Sequence, residues 1–419
     1  MNGADYKIIR IVTICALIML VLFSIKKNSS KTSQKLRHPE TFWTVQSIDA
    51  MKYSRDTARE KMNELSFDIV IQKQVSDIAG TGATHIGIGT PYDQEFLPFL
   101  QRWVSAARSN HLKVWFRGNF SGWENWFNYP KITRDQHLQM TRDFIVNNSK
   151  LFEDGDIFSS CPECENGGPG DPRHTGDVTG FRQFIISENK TAQTAFADIH
   201  KQVASNYFSM NGDVAKLVMD KDTTAKLGGV VTIDHYVSSP DKMITDIDAL
   251  ADSSGGKIIL GEFGAPIPDL NGNFTDEQQK NWMQETLDKL ASDKNVIGLN
   301  YWVSVGGSTQ IWTESGNIKP AAEMLVNYYK PTLVAGQVVN ELSQPITNAT
   351  AATAYREVHT DNSGRFVIPV VGGKSSSLQI SAPNFVSRIG NVDSLSSQVV
   401  LKKIHESGWF KFWKMVNSK

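Results

Sequence analysis

A (β/α)8 barrel followed by a small β-sandwich is the α/β fold class that the sequence predicts, and two patterns predict it. Between residues 42 and 330, short apolar runs alternate with amphipathic segments of helical length, which is the chain order of a parallel barrel. After Pro331, short alternating runs rich in Ser, Thr, Asn and Val replace the helices, as in a sandwich. A doubly wound open sheet is the rival for the first part, but no Gly-rich phosphate loop follows the first strand.

Each predicted barrel strand is a short apolar run bounded by polar residues or glycine. The runs lie at 42–48, 84–89, 112–116, 156–161, 206–215, 230–236, 257–260 and 296–303. The segments between them have the apolar periodicity of helices that cover a sheet. Those helices are predicted at 56–78, 96–109, 133–151, 181–204, 243–251 and 277–292, with a last one ending near Tyr329.

The predicted sandwich spans residues 331–404, with strand-like runs at 336–339, 353–358, 365–370 and 377–380. Gly336-Gln-Val, then Pro345-Ile346, then Thr360-Asp-Asn-Ser-Gly364-Arg-Phe366 resemble the carboxypeptidase regulatory-like domains. The resemblance implies a folded accessory module without chemistry of its own. The tail at 405–419 mixes bulky aromatics with lysines. It suits either a membrane interface or a terminal helix docked on the sandwich.

Composition and cysteine usage narrow the function classes. Lys and Arg total 43 against 44 Asp and Glu, so no electrostatic reason favours a nucleic-acid partner. Cys161 and Cys164 form a Cys-Pro-Glu-Cys motif, but a zinc site needs about four ligands and no second pair matches. A redox motif lacks its thioredoxin-like context, so two packed thiols or a local disulfide are preferred. No metal or nucleotide motif is present, and we expect no cofactor.

Polar and aromatic residues follow nearly every predicted strand. In a barrel, these positions face one shared mouth, where active sites form. They are Asp49, Lys52, Arg55 and Asp56 after the first strand, Tyr92 and Asp93 after the second, Arg117, Asn119, Trp123 and Trp126 after the third, Glu163, Glu165 and Asn166 after the fourth, Asn211 and Asp213 after the fifth, Asp234, His235 and Tyr236 after the sixth, Glu262 after the seventh, and Tyr301 and Trp302 after the eighth. A purely structural barrel has no need of paired carboxylates, an arginine and several tryptophans at one end.

This pattern resembles the clan of retaining glycoside hydrolases that share a (β/α)8 barrel, which includes endoglucanases and β-mannanases. In that clan the acid/base Glu follows strand four and the nucleophile Glu follows strand seven. Gly261-Glu262-Phe263-Gly264 matches the nucleophile motif, and Glu163 lies at the acid/base position. Pro162 stands where the clan has Asn, so Glu165 is the alternative acid. The strand-six His-x-Tyr motif is also altered, because this chain has Asp234-His235-Tyr236.

The resemblance implies roles for the residues at the mouth. Glu262 would attack the anomeric carbon while Glu163 protonates the leaving oxygen. Hydrogen bonds from Arg117 and Tyr236 would keep Glu262 ionised, and its charge would keep the acid protonated. The other substrate-binding candidates are Asn119, Trp123 or Trp126, Glu165, Asn166, Asn211, His235 and Trp302. On an ideal strand His235 points opposite to its neighbours, so burial among the helices is its alternative.

The leading hypothesis is a membrane-anchored retaining β-glycosidase, a monomer that acts on an extracellular or cell-envelope polysaccharide. The alternative from another class is a catalytically inactive carbohydrate-binding or surface protein on the same scaffold, and Pro162 is the feature that favours it. Transglycosylation by the same two residues is a third hypothesis, which differs only in how well water is excluded.

The N-terminus predicts a membrane location. An apolar segment at 8–25 has Lys7 and Arg10 near its start, and no small-residue cleavage pattern follows it. We therefore expect an uncleaved single-pass signal anchor in residues 1–27 and a polar, basic tether in 28–41. Basic residues are more numerous after the span, which favours a cytoplasmic body. An extracellular polysaccharide favours an extracytoplasmic body instead, and we adopt the latter.

Overall fold

The computed structural model of this protein describes residues 41–372, 376–394 and 396–404. The predicted signal anchor, nearly all of the tether and the aromatic tail therefore lie outside the described residues. Within the described ranges, no helix combines the length and the apolar character needed to cross a bilayer.

Eight parallel strands form one curled sheet, and each overlaps a predicted run. They are β1 (Val45–Asp49), β2 (His85–Ile88), β3 (Lys113–Phe116), β4 (Ile157–Phe158), β5 (Ser209–Asn211), β6 (Val230–Asp234), β7 (Lys257–Phe263) and β8 (Val296–Tyr301). Their order is β4-β3-β2-β1-β8-β7-β6-β5. A parallel bridge from Ile157 to Ala204, just before β5, joins the two remaining edges. The predicted parallel arrangement of the (β/α)8 type is therefore confirmed.

Nine helices of six residues or more are present in the described part of the chain. They are α1 (Asp68–Gly80), α2 (Leu97–Ser109), α3 (Arg134–Asn147), α4 (Val178–Asp198), α5 (Gly212–Val218), α6 (Lys221–Lys226), α7 (Pro240–Ser254), α8 (Asp276–Ser292) and α9 (Pro320–Tyr329). Capping boxes at Thr133 and Thr275 begin α3 and α8, because each threonine accepts a free N–H of the first turn. Short helical turns add Lys52–Asp56, Ala58–Lys61, Leu65–Phe67, Ser121–Glu124, Ser149–Leu151, Cys164–Asn166, Pro172–Thr175 and Pro268–Asn271.

Several predicted boundaries differ from the structure, among them the ends of the fifth and seventh strands and the extent of the first helix. The fifth strand was expected to run to residue 215, but it ends at Asn211 and α5 begins at Gly212, where Asp213 lies in the positively polarised first turn. The seventh strand continues to Phe263, so Glu262 lies within β7 rather than after it. The helix expected at 56–78 is broken into short turns before α1 begins at Asp68.

The lower half of the barrel is filled by apolar side chains from β1, β3, β4 and β7. Val45, Trp115, Ile157 and Ile259 form a separate buried cluster there. Because side chains alternate across a strand, residues two and four positions further along β1 and β3 also face inward, toward the mouth. That register places Asp49 and Arg117 on the barrel axis, on the mouth side of this apolar cluster. The larger core lies outside, between strands and helices.

The region after α9 forms two small sheets around a core of its own. Its strands are β9 (Thr332–Val339), β10 (Thr350–Ala352), β11 (Glu357–His359), β12 (Arg365–Val370), β13 (Ser377–Ser381), β14 (Arg388–Asn391) and β15 (Gln398–Val400). One sheet has the order β11-β10-β13-β14 and the other β12-β9-β15, and Val338, Phe366 and Ile380 lie between them. The strand expected at 353–358 is strand only at its last two residues, which begin β11, and residues 353–356 form a turn that joins β10 to β11.

That turn docks the small sheets onto the end of the barrel opposite the mouth. The Arg356 guanidinium donates to the carbonyls of Phe42 and Ala291 and lies over the Phe42 ring. The Tyr355 hydroxyl donates to Asp288 Oδ1 at 2.9 Å. The contact therefore joins the turn to the residues before β1 and to the end of α8.

Replacing Arg356 tests this docking. We expect Arg356→Ala to lower the free energy of unfolding by about 1–3 kcal/mol, because two carbonyls lose their charged donor. Arg365→Ala, on the exposed face of β12, is the matched control and should change it by less than about 0.5 kcal/mol. Urea unfolding measures both, and equal effects would show that the guanidinium does not hold the two parts together.

Candidate active site

The strand-seven motif owes its glycines to close packing. An added Cβ at Gly261 would lie 2.5 Å from Asp234 Oδ1, and one at Gly264 would lie 2.4 Å from the Trp302 carbonyl oxygen. The pairing of β7 also shifts register between Leu260 and Phe263. Such an irregularity re-aims a side chain, and here it brings Glu262 toward the barrel axis.

Arg117 is the central group of the mouth. It is 1% exposed, and three carboxylates from three other strands surround its guanidinium. Nη2 lies 2.7 Å from Glu262 Oε1 and 3.8 Å from Asp234 Oδ2, and Nε lies 3.0 Å from Asp49 Oδ2. Burial alone would lower the pKa of this guanidinium, but the surrounding carboxylates raise it overall. It is a permanent buried cation.

Glu262 is held at both oxygens by the two donors proposed from the sequence. Arg117 Nη2 donates to Oε1 at 2.7 Å, and the Tyr236 hydroxyl donates to Oε2 at 2.8 Å. Burial is the largest cause, and the charge of Glu262 the second largest, of a pKa of the Tyr236 phenol well above its usual value. The phenol therefore keeps its proton and stays a donor. The half-buried Trp302 ring lies 6.0 Å from the Tyr236 ring and nearly perpendicular to it. These three side chains therefore share one part of the mouth.

The other two carboxylates beside Arg117 are fully enclosed. Burial, opposed by Arg117, raises the pKa of Asp49 to about 6. Burial and then the charge of Glu262 raise the pKa of Asp234 well above its ordinary value. Neither Asp234 oxygen has a hydrogen-bond partner among the described residues. One guanidinium cannot offset three buried negative charges, so protons neutralise part of the cluster.

Glu163 lies on the loop after β4, half-buried. Its backbone adopts the left-handed conformation, with φ 47° and ψ 49°, and its N–H donates to the Ser209 carbonyl at 2.8 Å. Burial first, then the charges of Glu262 and Glu165, raise the pKa of Glu163 to about 7. The loop is closed by a disulfide between Cys161 and Cys164, one of the two states expected for these cysteines.

Glu165 is hydrogen-bonded to Asn211 at the end of β5. Its Oε1 accepts from the backbone N–H of Asn211 at 2.7 Å and from the Asn211 side chain at 3.2 Å. It is 3% exposed, and burial raises the pKa of its carboxyl. Glu165 and Asn211 therefore brace the β4 loop against the end of β5.

Four other candidates lie away from Arg117 and the carboxylates around it. Asn119 Oδ1 accepts from Phe120 N and from His137 Nε2, at 2.8 and 3.0 Å. Trp123 is 2% exposed and stacks on Phe184, so neither face is open. His235 Nε2 lies 3.1 Å from Asp246 of α7, the outward orientation that was its alternative. Asn166 is exposed on the disulfide loop.

Three residues for which the sequence predicts no role complete the site. Two of them, Asp49 and Asp234, lie at the ends of strands, and the inward register of β1 is a signal from which the position of Asp49 could be predicted. Asn300, on β8, donates to Asp49 Oδ2 at 3.2 Å and to the Gly261 carbonyl at 2.8 Å.

At the outer edge of the mouth, the Arg55 guanidinium lies over the Trp126 ring, 4.7 Å from its centroid. The half-buried Trp126, not Trp123, is therefore the tryptophan of that loop near the opening.

No protein-family model matches the chain, and no curated protein matches its sequence. Solved structures match in fold. GH5_18 from Bifidobacterium longum subsp. longum superposes with a TM-score of 0.50 at 13% identity over 72% of this chain and 85% of that one. A variant of it in complex with Manβ1-4GlcNAc gives a TM-score of 0.51 at 12% identity, over 72% and 84%. The likeness shows that this chain has the barrel fold found in those glycoside hydrolases.

Replacing Arg117 tests whether it neutralises the cluster. We expect Arg117→Met to lower the free energy of unfolding at pH 7 by about 3–5 kcal/mol, because buried carboxylates lose their partner. At pH 5, below the raised pKa of about 6 of Asp49, the loss should be smaller because that carboxyl takes up a proton.

Asp234→Asn is the matched control. Burial and the charge of Glu262 raise the pKa of Asp234 and so favour its neutral form, and an amide of the same shape should therefore change the free energy of unfolding by less than about 1 kcal/mol. Urea unfolding at the two pH values measures both variants. Equal losses for Arg117→Met at pH 5 and pH 7 would contradict the electrostatic role.

Proposed function

We propose that this protein is a retaining β-glycosidase in which Glu262 is the nucleophile and Glu163 the acid/base. The observation that carries the proposal is the contrast between the two carboxyls. Glu262 accepts hydrogen bonds from a buried cation and a phenol, while the pKa of Glu163 is raised to about 7, in part by the charge of Glu262. Double displacement requires one carboxylate that attacks and one carboxylic acid that protonates, and these two environments suit Glu262 and Glu163 to those roles.

In the first step Glu262 attacks the anomeric carbon while Glu163 protonates the departing glycosidic oxygen. Both hydrogen bonds to Glu262 favour its ionised form. The raised pKa of Glu163 favours the acid form that protonation of the leaving oxygen needs. Trp302, beside Tyr236, offers its ring as a platform for the sugar at this position.

In the second step water breaks the covalent glycosyl–Glu262 bond. Glu163, now ionised, takes a proton from that water as it attacks the anomeric carbon. Because the first step neutralises Glu262 by esterification, the main negative charge that raised the pKa of Glu163 disappears. Its carboxyl is then better suited to act as a base, and product release returns both groups to their starting states.

Glu163 is the better acid/base than its alternative, Glu165. Both oxygens of Glu165 are enclosed, and Oε1 is occupied by two donors from Asn211. Glu163 is half-buried, and Glu262 contributes to its raised pKa. The Pro162 that precedes it favours an inactive carbohydrate-binding protein as the second candidate, since an amide usually stands there in the clan.

For the substrate we propose a β-linked polysaccharide outside the cell. The matching B. longum structure holds Manβ1-4GlcNAc, so β-mannosides are the first glycosides to test. The Cys161–Cys164 disulfide favours an extracytoplasmic body, because disulfides persist in oxidising compartments. A single-pass anchor in residues 1–27 would keep that body at the membrane surface.

Removing each carboxyl tests the assignment. We expect Glu262→Ala to lower kcat/KM on aryl β-glycosides by at least about 10³-fold, because the covalent step loses its nucleophile. Glu163→Gln should lower it by about 10²–10⁴-fold on substrates with poor leaving groups. Glu277→Gln, an exposed carboxylate on α8, is the control. Turnover by Glu262→Ala at the wild-type rate would refute the assignment of the nucleophile, whereas a wild type without activity on any of these glycosides would favour the binding-protein alternative.

The pH profile tests the assignment of the acid independently. Glu163 must be protonated in the free enzyme, so kcat/KM should fall as pH rises through about 7. In Glu163→Gln that alkaline limb should vanish, because the amide does not titrate. A limb that stays in Glu163→Gln and disappears in Glu165→Gln would assign the acid role to Glu165 instead.

A further inference from the structure

The proposed acid/base lies inside the short loop that the Cys161–Cys164 disulfide closes. Cys161 and Cys164 are bonded with their Cα atoms 5.0 Å apart, and only Pro162 and Glu163 lie between them. Both cysteines are buried, at 0% and 2% exposed. A residue held at both ends in this way has little freedom to rotate its backbone.

The backbone of Glu163 needs such a restraint. Its φ of 47° is positive, a region that residues with a Cβ disfavour and that persists only where the surroundings impose it. Pro162 fixes its own φ, and the Glu163 N–H donates to the Ser209 carbonyl at 2.8 Å. The Glu163 carbonyl accepts from the Asn166 N–H, also at 2.8 Å, and the disulfide adds a covalent restraint to these two hydrogen bonds.

Two buried side chains contact the cysteines of the disulfide. The Cys164 carbonyl accepts from Trp123 Nε1 at 3.2 Å, and Asn119 Nδ2 lies 3.7 Å from Cys161 Sγ. Asn119 is in turn held by His137, whose other ring nitrogen lies 2.9 Å from Glu188 Oε1. A rigid chain of contacts therefore runs from the helix layer to the loop.

We propose that the Cys161–Cys164 disulfide is the positioning element of the acid/base. It holds Glu163 in its left-handed conformation, and opening it removes acid/base assistance while the nucleophile stays in place. This inference rests on the proposed function. Opening the disulfide spares the nucleophile because the hydrogen-bond partners of Glu262, Arg117 and Tyr236, follow β3 and β6 and do not lie on this loop.

The test compares substrates that differ only in leaving group. A phenyl β-glycoside needs the acid, because phenoxide is a poor leaving group, whereas a 2,4-dinitrophenyl β-glycoside departs without protonation. In Cys161→Ser/Cys164→Ser we expect kcat/KM to fall by about 10–100-fold on the first, since a misplacement of about 1 Å costs that much. On the dinitrophenyl substrate it should change by less than about threefold.

Azide gives a second readout. It attacks the glycosyl–Glu262 ester without a general base, so that the carbon–oxygen bond to Glu262 breaks as a carbon–nitrogen bond forms. In the double variant we expect azide to raise kcat on the dinitrophenyl substrate and to yield the glycosyl azide, as it should in Glu163→Gln. In wild type it should do neither. A merely structural role for the disulfide would not produce this rescue.

Reduction of wild type covers the case in which the double variant does not fold. A dithiol transfers two electrons and two protons, becomes a cyclic disulfide and leaves Cys161 and Cys164 as thiols, which alkylation and mass spectrometry count. Loss of phenyl-glycoside activity should follow the reduced fraction. Leu325→Ala, a cavity variant in α9, controls for general destabilisation and should lower the melting temperature without changing the ratio of the two activities.

The outcomes separate this inference from the proposed function. If wild type hydrolyses neither substrate, the proposed function fails. If wild type is active and its ratio of phenyl to dinitrophenyl activity is the same with the disulfide open, the function stands and the positioning role is overturned. A fall in both activities to the same extent also overturns it.

Discussion

The ion pairs between Arg117 and the carboxylates around it are the constraint on which the mouth of the barrel depends. A guanidinium that is 1% exposed is tolerable only with partners, and β1, β6 and β7 each supply one. Removing any one carboxylate leaves the cation two others, but removing the cation leaves all of them unpaired. The ends of four strands are therefore tied to a single side chain, which also sets the position of Glu262.

This arrangement has an electrostatic consequence for chemistry. The mouth holds more carboxyl groups than cations, so the field disfavours ionising every acid. Glu262 accepts from Arg117 and Tyr236, while the pKa values of Asp49, Asp234 and Glu163 rise. Burial is the largest cause of each rise. In the proposed mechanism, the acid and the nucleophile are thus distinguished by their surroundings and not by their residue type.

The sequence predicted the order of strands and helices because apolar periodicity is a local property that the final packing preserves. It also placed Glu163 and Glu262 at the shared mouth, because parallel strands end at one edge. It did not predict which face of a loop is buried. Trp123 and Asn119 follow β3 as expected, yet Phe184 and His137, from helices further along the chain, hold them in the core. The irregularity that turns Glu262 inward depends equally on a neighbouring strand.

The unexpected Pro162 is explained by the loop in which it lies. An amide before the acid is one way to hold such a carboxyl, through its own hydrogen bonds. Here the ring of Pro162 and the Cys161–Cys164 bond restrict the backbone on both sides of Glu163 instead. Covalent restraint and hydrogen bonding are different solutions to the same requirement, a carboxyl kept within about 0.5 Å of its working position. Under the proposed function, the departure from the motif at residue 162 is therefore compatible with catalysis as long as the disulfide is closed.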